Sequence, residues 1–431
     1  MCSYGLCCVA DANMGYRKLQ KTMYIKLIVI GFAMSYGVFQ EYYNENWTFQ
    51  GSSSATGVIG TTQNGVMYLS MPFLFGLFTK RYARYRQTAA VCGAVLTCVS
   101  FLASSFSKSV IHLILTQGVL AALGCALIYS PMTLSLGEWY TTSNRALAYG
   151  VVLSCKNIVG STCPFILRVL LDRFSFPMAI RIWVAIVAAT SIPAVFLIPT
   201  HPSSLQVTEQ RRRKIPWTFL AHQTFYVYGV AIIAQSAGYG IPQTYLNTYA
   251  REVTLLSQTS ATLLLTLFNI PGIASSSFFG WLSDNQYFRL SATTVTAVSA
   301  VSSALSAFLL WGLTSKGSMA LLVVFSMTFG FFAGGYSATW GGVLNEMEKE
   351  AAQRNEAIDT GVLYGLLNGA RGIGYVSGGL AGVPLLKAGW SSMGKFGYET
   401  SYGPLIIFTG LSSIFGGWGL LWKGRKCVRS I

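Results

Sequence analysis

Apolar runs about as long as a membrane is thick alternate with short polar breaks along almost the whole chain. A helix needs roughly 20 apolar residues to cross about 30 Å of hydrocarbon, so each run is predicted to form a membrane span. The pattern predicts twelve spans, numbered here in chain order: 23–43, 57–78, 88–106, 110–134, 145–167, 177–199, 217–246, 259–282, 291–313, 318–342, 358–386 and 402–422. The expected fold class is therefore all-α integral membrane.

The spans form two sets of six, separated by a polar stretch. We predict a first six-helix bundle at 23–199 and a second at 217–422, joined by a cytoplasmic linker at 200–216. Cytoplasmic tails are expected at 1–22 and 423–431. Six spans followed by six indicate an internal duplication.

The positions of the basic residues decide how the net charge of +16 is interpreted. Most of the 30 Lys and Arg residues fall on one side of the predicted membrane, for example Arg211 to Lys214 in the linker. Cytoplasmic loops carry such an excess, so both termini are predicted to be cytoplasmic. Only 10% of the residues are charged and 52% are hydrophobic, unlike an ordinary soluble domain. The charge therefore reflects membrane topology, and no nucleic-acid partner is expected.

A short motif recurs after spans 2 and 8. Gly280 is followed four residues later by Asp284, and Gly76 is followed at the same spacing by Lys80. This pattern resembles the cytoplasmic signature of the major facilitator superfamily, although Lys80 replaces the usual acidic residue. Within that superfamily the chain is similar to fungal members of the monocarboxylate porter family. The matching stretches are Tyr36–Tyr43, Gln117–Leu120, Arg145–Gly150, Phe329–Tyr336 and Gly369–Gly374.

The resemblance implies two parallel six-helix bundles with a solute site between them near the middle of the membrane. It also implies secondary transport of small organic solutes, carboxylates among them, with a proton as the expected co-transported ion. Gly76, Lys80, Gly280 and Asp284 would then belong to a motif that governs gating. Animal members carry a lysine in span 1 and an Asp/Arg pair in span 8, where this chain has uncharged residues. Proton-coupled lactate transport is therefore not implied.

Two basic residues are predicted to lie deep inside the membrane. Lys156 lies about 16 Å along span 5 from Arg145, and Arg371 lies about 20 Å into span 11. Because spans 5 and 11 correspond across the duplication, one cation from each half could hold an anion between them. The alternative is that each cation is paired with neighbouring polar groups and never contacts solute. Polar residues in other spans are further candidates for solute contact: Gln117, Tyr239, Tyr336 and Asn368.

Other chemistry in the sequence is sparse. Glu41, at the outer end of span 1, is a candidate for proton coupling, and Asn46 begins a glycosylation acceptor triplet. The three histidines are scattered, so neither a metal site nor a cofactor is expected. The nine cysteines lie in predicted spans or cytoplasmic tails and form no disulfide framework.

Three functions are compatible with this sequence, and none is an enzyme. The first is a monocarboxylate-porter-like secondary transporter, expected to be a monomer in the plasma membrane or, alternatively, in the vacuolar or another internal membrane. The second is an exporter of a fungal secondary metabolite. The third, a solute sensor that does not transport, is disfavoured because the predicted tails are short.

Overall fold

The computed structural model describes residues 31–46, 50, 55–79, 82–139, 145–196, 216–284, 290–389 and 395–423. The predicted tail at 1–22, the linker up to residue 215 and Lys80 lie outside these residues. Helices make up the described part, which confirms the all-α fold class.

The first half contains helices α1 to α9. Their bounds are Gly31–Met34 (α1), Tyr36–Glu45 (α2), Gly57–Leu69 (α3), Met71–Thr79 (α4), Arg86–Ser104 (α5), Val110–Leu113 (α6), Ala121–Trp139 (α7), Arg145–Arg173 (α8) and Phe176–Phe196 (α9). A π-helical segment, Ile114–Leu120, joins α6 to α7. The break between α3 and α4 falls at Ser70, where Pro72 lacks the N–H that would continue the ladder of hydrogen bonds.

The second half contains helices α10 to α16. Their bounds are Gln223–Glu252 (α10), Gln258–Asp284 (α11), Ala292–Leu305 (α12), Met319–Gly335 (α13), Trp340–Gln353 (α14), Thr360–Ala388 (α15) and Gly403–Gly416 (α16). A π-helical segment, Ser306–Trp311, follows α12, and a 3₁₀ segment, Tyr336–Thr339, joins α13 to α14.

Seven helical stretches in the described residues are long and apolar enough to cross a membrane: Ala83–Ser104, Val110–Gly137, Arg145–Arg173, Gln258–Asp284, Ala292–Trp311, Met319–Gln353 and Gly403–Lys423. Helices α10 and α15 are equally long but more polar. Every residue of α10 from Gln235 to Ala250 is buried by other helices, so this helix does not need an apolar surface that faces lipid. These seven stretches support a multi-pass membrane protein, and the total of twelve spans stays a prediction.

The two halves meet chiefly where α8 packs on α11, where α3 and α4 pack on α15, and where α2 packs on α10. Close packing depends on glycine: a Cβ at Gly150 would lie 2.3 Å from the Ser276 carbonyl oxygen. Asn157 of α8 packs on Gly272 of α11, and Asn269 of α11 packs on Gly160 of α8, so the contact is reciprocal. Such small-residue contacts let two membrane helices approach closely.

The glycines of α15 face two different neighbours. Gly365, Gly369 and Gly372 lie against α3 and α4, whereas Gly374 and Gly378 lie against the backbone of α10. The glycine contacts therefore change face close to Arg371.

Candidate functional site

The guanidinium of Arg371 lies at the centre of the molecule, where α15 passes between the two halves. The side chain is buried, with a relative exposure of 5% for the residue. Its Nη1 donates to Ser337 Oγ at 2.6 Å and its Nη2 donates to the Tyr375 hydroxyl at 3.4 Å. Two of its nitrogens are thus held by neutral hydroxyl groups.

Four aromatic rings, which we call the aromatic cage, surround this guanidinium. The Arg371 Cζ lies 4.7 Å from the ring centroid of Tyr68, 5.5 Å from those of Trp340 and Tyr375, and 6.0 Å from that of Tyr239. An arginine in such contact with ring faces gains about 2 kcal/mol when water is excluded. The cage therefore stabilises a charge that would otherwise be costly at this depth.

Lys156 reaches the same cage from α8, in the first half. Its residue exposure is 2%, and its Nζ lies 5.5 Å from the centroid of the Tyr239 ring. The structure therefore brings together Lys156 and Arg371, which are far apart in the sequence, around one tyrosine.

The electrostatics of the cage favour a negative partner. Among the described residues, Arg371 makes no ion pair with a carboxylate. Its Nε is buried and has no hydrogen-bond partner there. Buried charges in proteins are normally paired, and a buried donor without a partner costs about 1–3 kcal/mol. An anion that accepted a hydrogen bond from Nε would satisfy both requirements.

Three other predicted contact residues are occupied by protein groups. Asn368 donates to the Tyr364 carbonyl of its own helix at 2.7 Å. Gln117 accepts from the Tyr43 hydroxyl at 3.3 Å and donates to Ser104 Oγ at 3.2 Å. Tyr336 donates to the Gly416 carbonyl at 3.0 Å, which ties the 3₁₀ segment to α16. Their role in solute contact stays a prediction.

The second-half copy of the predicted gating motif joins the two halves at the predicted cytoplasmic end. Asp284 Oδ2 accepts from the Leu147 backbone N–H at 2.8 Å, and its Oδ1 accepts from Asn345 Nδ2 at 3.3 Å. Arg145 pairs with Glu348 at 2.9 Å. We call this set, made of residues 145 to 147 of α8 with Asp284, Asn345 and Glu348, the cytoplasmic latch.

The two motif glycines differ in their surroundings. A Cβ at Gly280 would lie 2.5 Å from the Ala146 carbonyl oxygen, inside the cytoplasmic latch. A Cβ at Gly76 would meet no atom within 4 Å. The second-half copy of the motif therefore makes a tight contact between the halves, and Gly76 does not.

A second group of charges joins the halves at the predicted outer end. Glu41 Oε1 lies 3.6 Å from Arg168 Nη1 and 3.5 Å from Arg251 Nε, and Glu41 Oε2 accepts from Asn247 at 3.4 Å. Glu45 lies 2.7 Å from Arg251 Nη2. Glu41 is 1% exposed, so its carboxylate is buried between basic groups of both halves.

Both ends are therefore closed in this conformation. Beside Arg145 of the cytoplasmic latch lies a cavity of about 140 Å³, whose walls also include Tyr149 and Asp359. The Tyr149 ring stacks on the Tyr364 ring, with a centroid distance of 4.6 Å. At the other end, Asn46 is exposed, while Trp47 and Thr48 of its acceptor triplet lie outside the described residues.

Sequence reasoning missed most of the cage. Tyr375 follows Arg371 by one helical turn, so helical spacing could have identified it. Tyr68, Trp340 and Ser337 come from other helices, and no local signal connects them with Arg371. The partners of Glu41 were missed for the same reason.

Comparisons with known proteins agree with this architecture. The model of the Major Facilitator Superfamily matches residues 23–379. An MFS-type transporter of Aspergillus niger, pynF, is 26% identical over 359 residues, which cover 83% of this chain and 77% of that protein. Human monocarboxylate transporter 12 is 27% identical over a region that covers 58% of this chain and 54% of that protein. Rat monocarboxylate transporter 13 is 25% identical over a region that covers 87% of this chain and 82% of that protein.

Proposed function

Because the chain belongs to the major facilitator superfamily, we propose that it is a secondary transporter that moves a small organic anion across a membrane by alternating access. The observation that carries the proposal is the meeting of Lys156 and Arg371 at the Tyr239 ring. The relatives named as monocarboxylate transporters support a carboxylate as the charged group.

The solute would bind with its carboxylate towards Arg371 Nε and Lys156 Nζ. An arginine offers a carboxylate a directed, charge-assisted hydrogen bond, and a lysine adds a mobile point charge. Since Lys156 belongs to the first half and Arg371 to the second, a bound anion would bridge the halves.

Transport would follow from opening one end at a time. The cytoplasmic latch and the charges around Glu41 both connect the halves, so separating either set would open a path to the cage. The halves would rock against each other at the small-residue contacts of α8 with α11 and of α3–α4 with α15. Protonation of Glu41 would break its ion pairs with Arg168 and Arg251, and would thereby couple opening of the outer end to proton binding.

Flux in vesicles that contain the purified protein tests this proposal. We would compare labelled short monocarboxylates with their neutral amides, in both directions and with or without a pH gradient. We expect saturable flux of the acids and none of the amides, and a pH gradient should increase the flux of the acids. Equal flux of acids and amides, or no flux of either from folded protein, would contradict the proposal.

A further inference from the structure

The parallel pair of rings beside Arg371 connects the two halves of the molecule. Tyr68, on α3 of the first half, stacks on Tyr375, on α15 of the second half, with a centroid distance of 5.9 Å and an interplanar angle of 13°. Both rings also contact the Arg371 guanidinium. Separation of the halves at this contact would expose both ring faces next to the cation.

Further rings extend this aromatic surface. Tyr239 stands edge-on to Tyr375 at 6.3 Å and packs against Phe268 and Phe329 at 5.9 and 6.4 Å. A flat ring between Tyr68 and Tyr375 would thus meet faces on both sides and an edge at one end. Offset-stacked and edge-to-face contacts are the geometries that aromatic groups prefer.

The charges of the site exclude a cationic solute. Arg371 already occupies the aromatic cage, and Lys156 adds a second positive charge at Tyr239. A solute with an ammonium group would be repelled by both. The unpartnered Nε of Arg371 points instead to one acceptor group, such as a carboxylate.

We propose that the solute is an aromatic monocarboxylate, whose carboxylate binds Arg371 and whose ring inserts between Tyr68 and Tyr375. This inference rests on the proposed function and specifies its substrate class. Small aliphatic carboxylates could satisfy the charge but would leave the two ring faces without a partner.

The test compares two probes that differ only in their ring. Binding of 3-phenylpropanoate and 3-cyclohexylpropanoate to the purified full-length protein would be measured by titration calorimetry. The cyclohexyl acid is the more hydrophobic, so burial of apolar surface alone predicts that it binds more tightly. We expect the opposite order, with the phenyl acid bound roughly two- to tenfold more tightly because of its ring contacts.

Two variants of Tyr68 locate the source of this preference. Tyr68→Phe keeps the ring and should keep the preference, whereas Tyr68→Leu should abolish it while both acids still bind. Tighter or equal binding of the cyclohexyl acid by the unmodified protein would overturn the inference, as would a preference that survives in Tyr68→Leu. Failure of both acids to bind would also overturn the inference. The proposed function would still stand if the protein then transported other carboxylates and this transport depended on Arg371.

Discussion

Loss of the Asp284 carboxylate should open the predicted cytoplasmic end. In Asp284→Asn the amide can still accept from Leu147 N–H only as a neutral group, or it presents its NH₂ there and the bond is lost. The bond from Asn345 lies within the second half, so it does not affect opening. Hydrogen bonds to charged groups contribute about 1.5–3 kcal/mol and neutral ones about 0.5–1.5 kcal/mol. The closed state should therefore lose about 1–3 kcal/mol, which corresponds to a roughly 5- to 150-fold shift towards the open state.

Thiol accessibility measures this shift directly. Thr133 is fully buried and lines the cavity behind the cytoplasmic latch, so a Thr133→Cys reporter in a cysteine-free chain should react only when that end opens. A maleimide that cannot cross membranes would be applied from the predicted cytoplasmic side. We expect the labelling rate in Asp284→Asn to rise by the same factor as the shift towards the open state.

Glu399→Gln serves as the matched control, because Glu399 accepts a hydrogen bond from Lys395 in a loop and does not connect the halves. Its labelling rate should equal that of the parent. If Asp284→Asn were labelled no faster than this control, the cytoplasmic latch would not hold the end closed, and the reasoning would be refuted.

Three further predictions follow from contacts between helices. Gly280→Ala should lower the free energy of unfolding by about 1–3 kcal/mol, because its Cβ would overlap the Ala146 carbonyl. The thermal unfolding temperature of the detergent-solubilised protein should fall accordingly. Gly76→Ala, with open space around it, should not lower that temperature, and equal losses in both would contradict the packing argument. Glu41→Gln should make carboxylate uptake insensitive to a pH gradient, because no protonation could then release Arg168 and Arg251; a response like that of the parent would exclude Glu41 as the coupling group. Gln117→Leu should destabilise the protein by about 1–3 kcal/mol in a denaturant titration, because it removes the hydrogen bonds that Gln117 makes with the Tyr43 hydroxyl and Ser104 Oγ; unchanged stability would contradict this assignment.

The sequence predicted those parts of the fold that depend on local pattern. Apolar run length located the helices, although α8 continues to Arg173, beyond the predicted end of span 5. Helix rise predicted similar depths for Lys156 and Arg371. Each of these inferences needs only one helix at a time.

Contacts between helices could not be predicted in the same way. Tyr68 lies near the end of α3 and Trp340 begins α14, and nothing in the sequence beside either residue indicates which side chain it contacts. The motif residue Asp284 was located by its spacing from Gly280, but its partner, the Leu147 N–H, is a backbone group that any sequence would provide. Such pairs depend on which spans become neighbours in the folded protein, and a single sequence does not show this.

The central claim is that Arg371 and Lys156 bind the transported anion, and substitution of these two residues tests it most directly. Carboxylate uptake into vesicles would be compared for Arg371→Gln, Arg371→Lys and Lys156→Gln, with Arg181→Gln as the control because Arg181 is exposed on α9. We expect uptake like that of the parent in the control, intermediate uptake in Arg371→Lys, and a loss of roughly 10- to 150-fold in Arg371→Gln, equivalent to one charged hydrogen bond. Unchanged uptake in a folded Lys156→Gln/Arg371→Gln double variant would contradict the account.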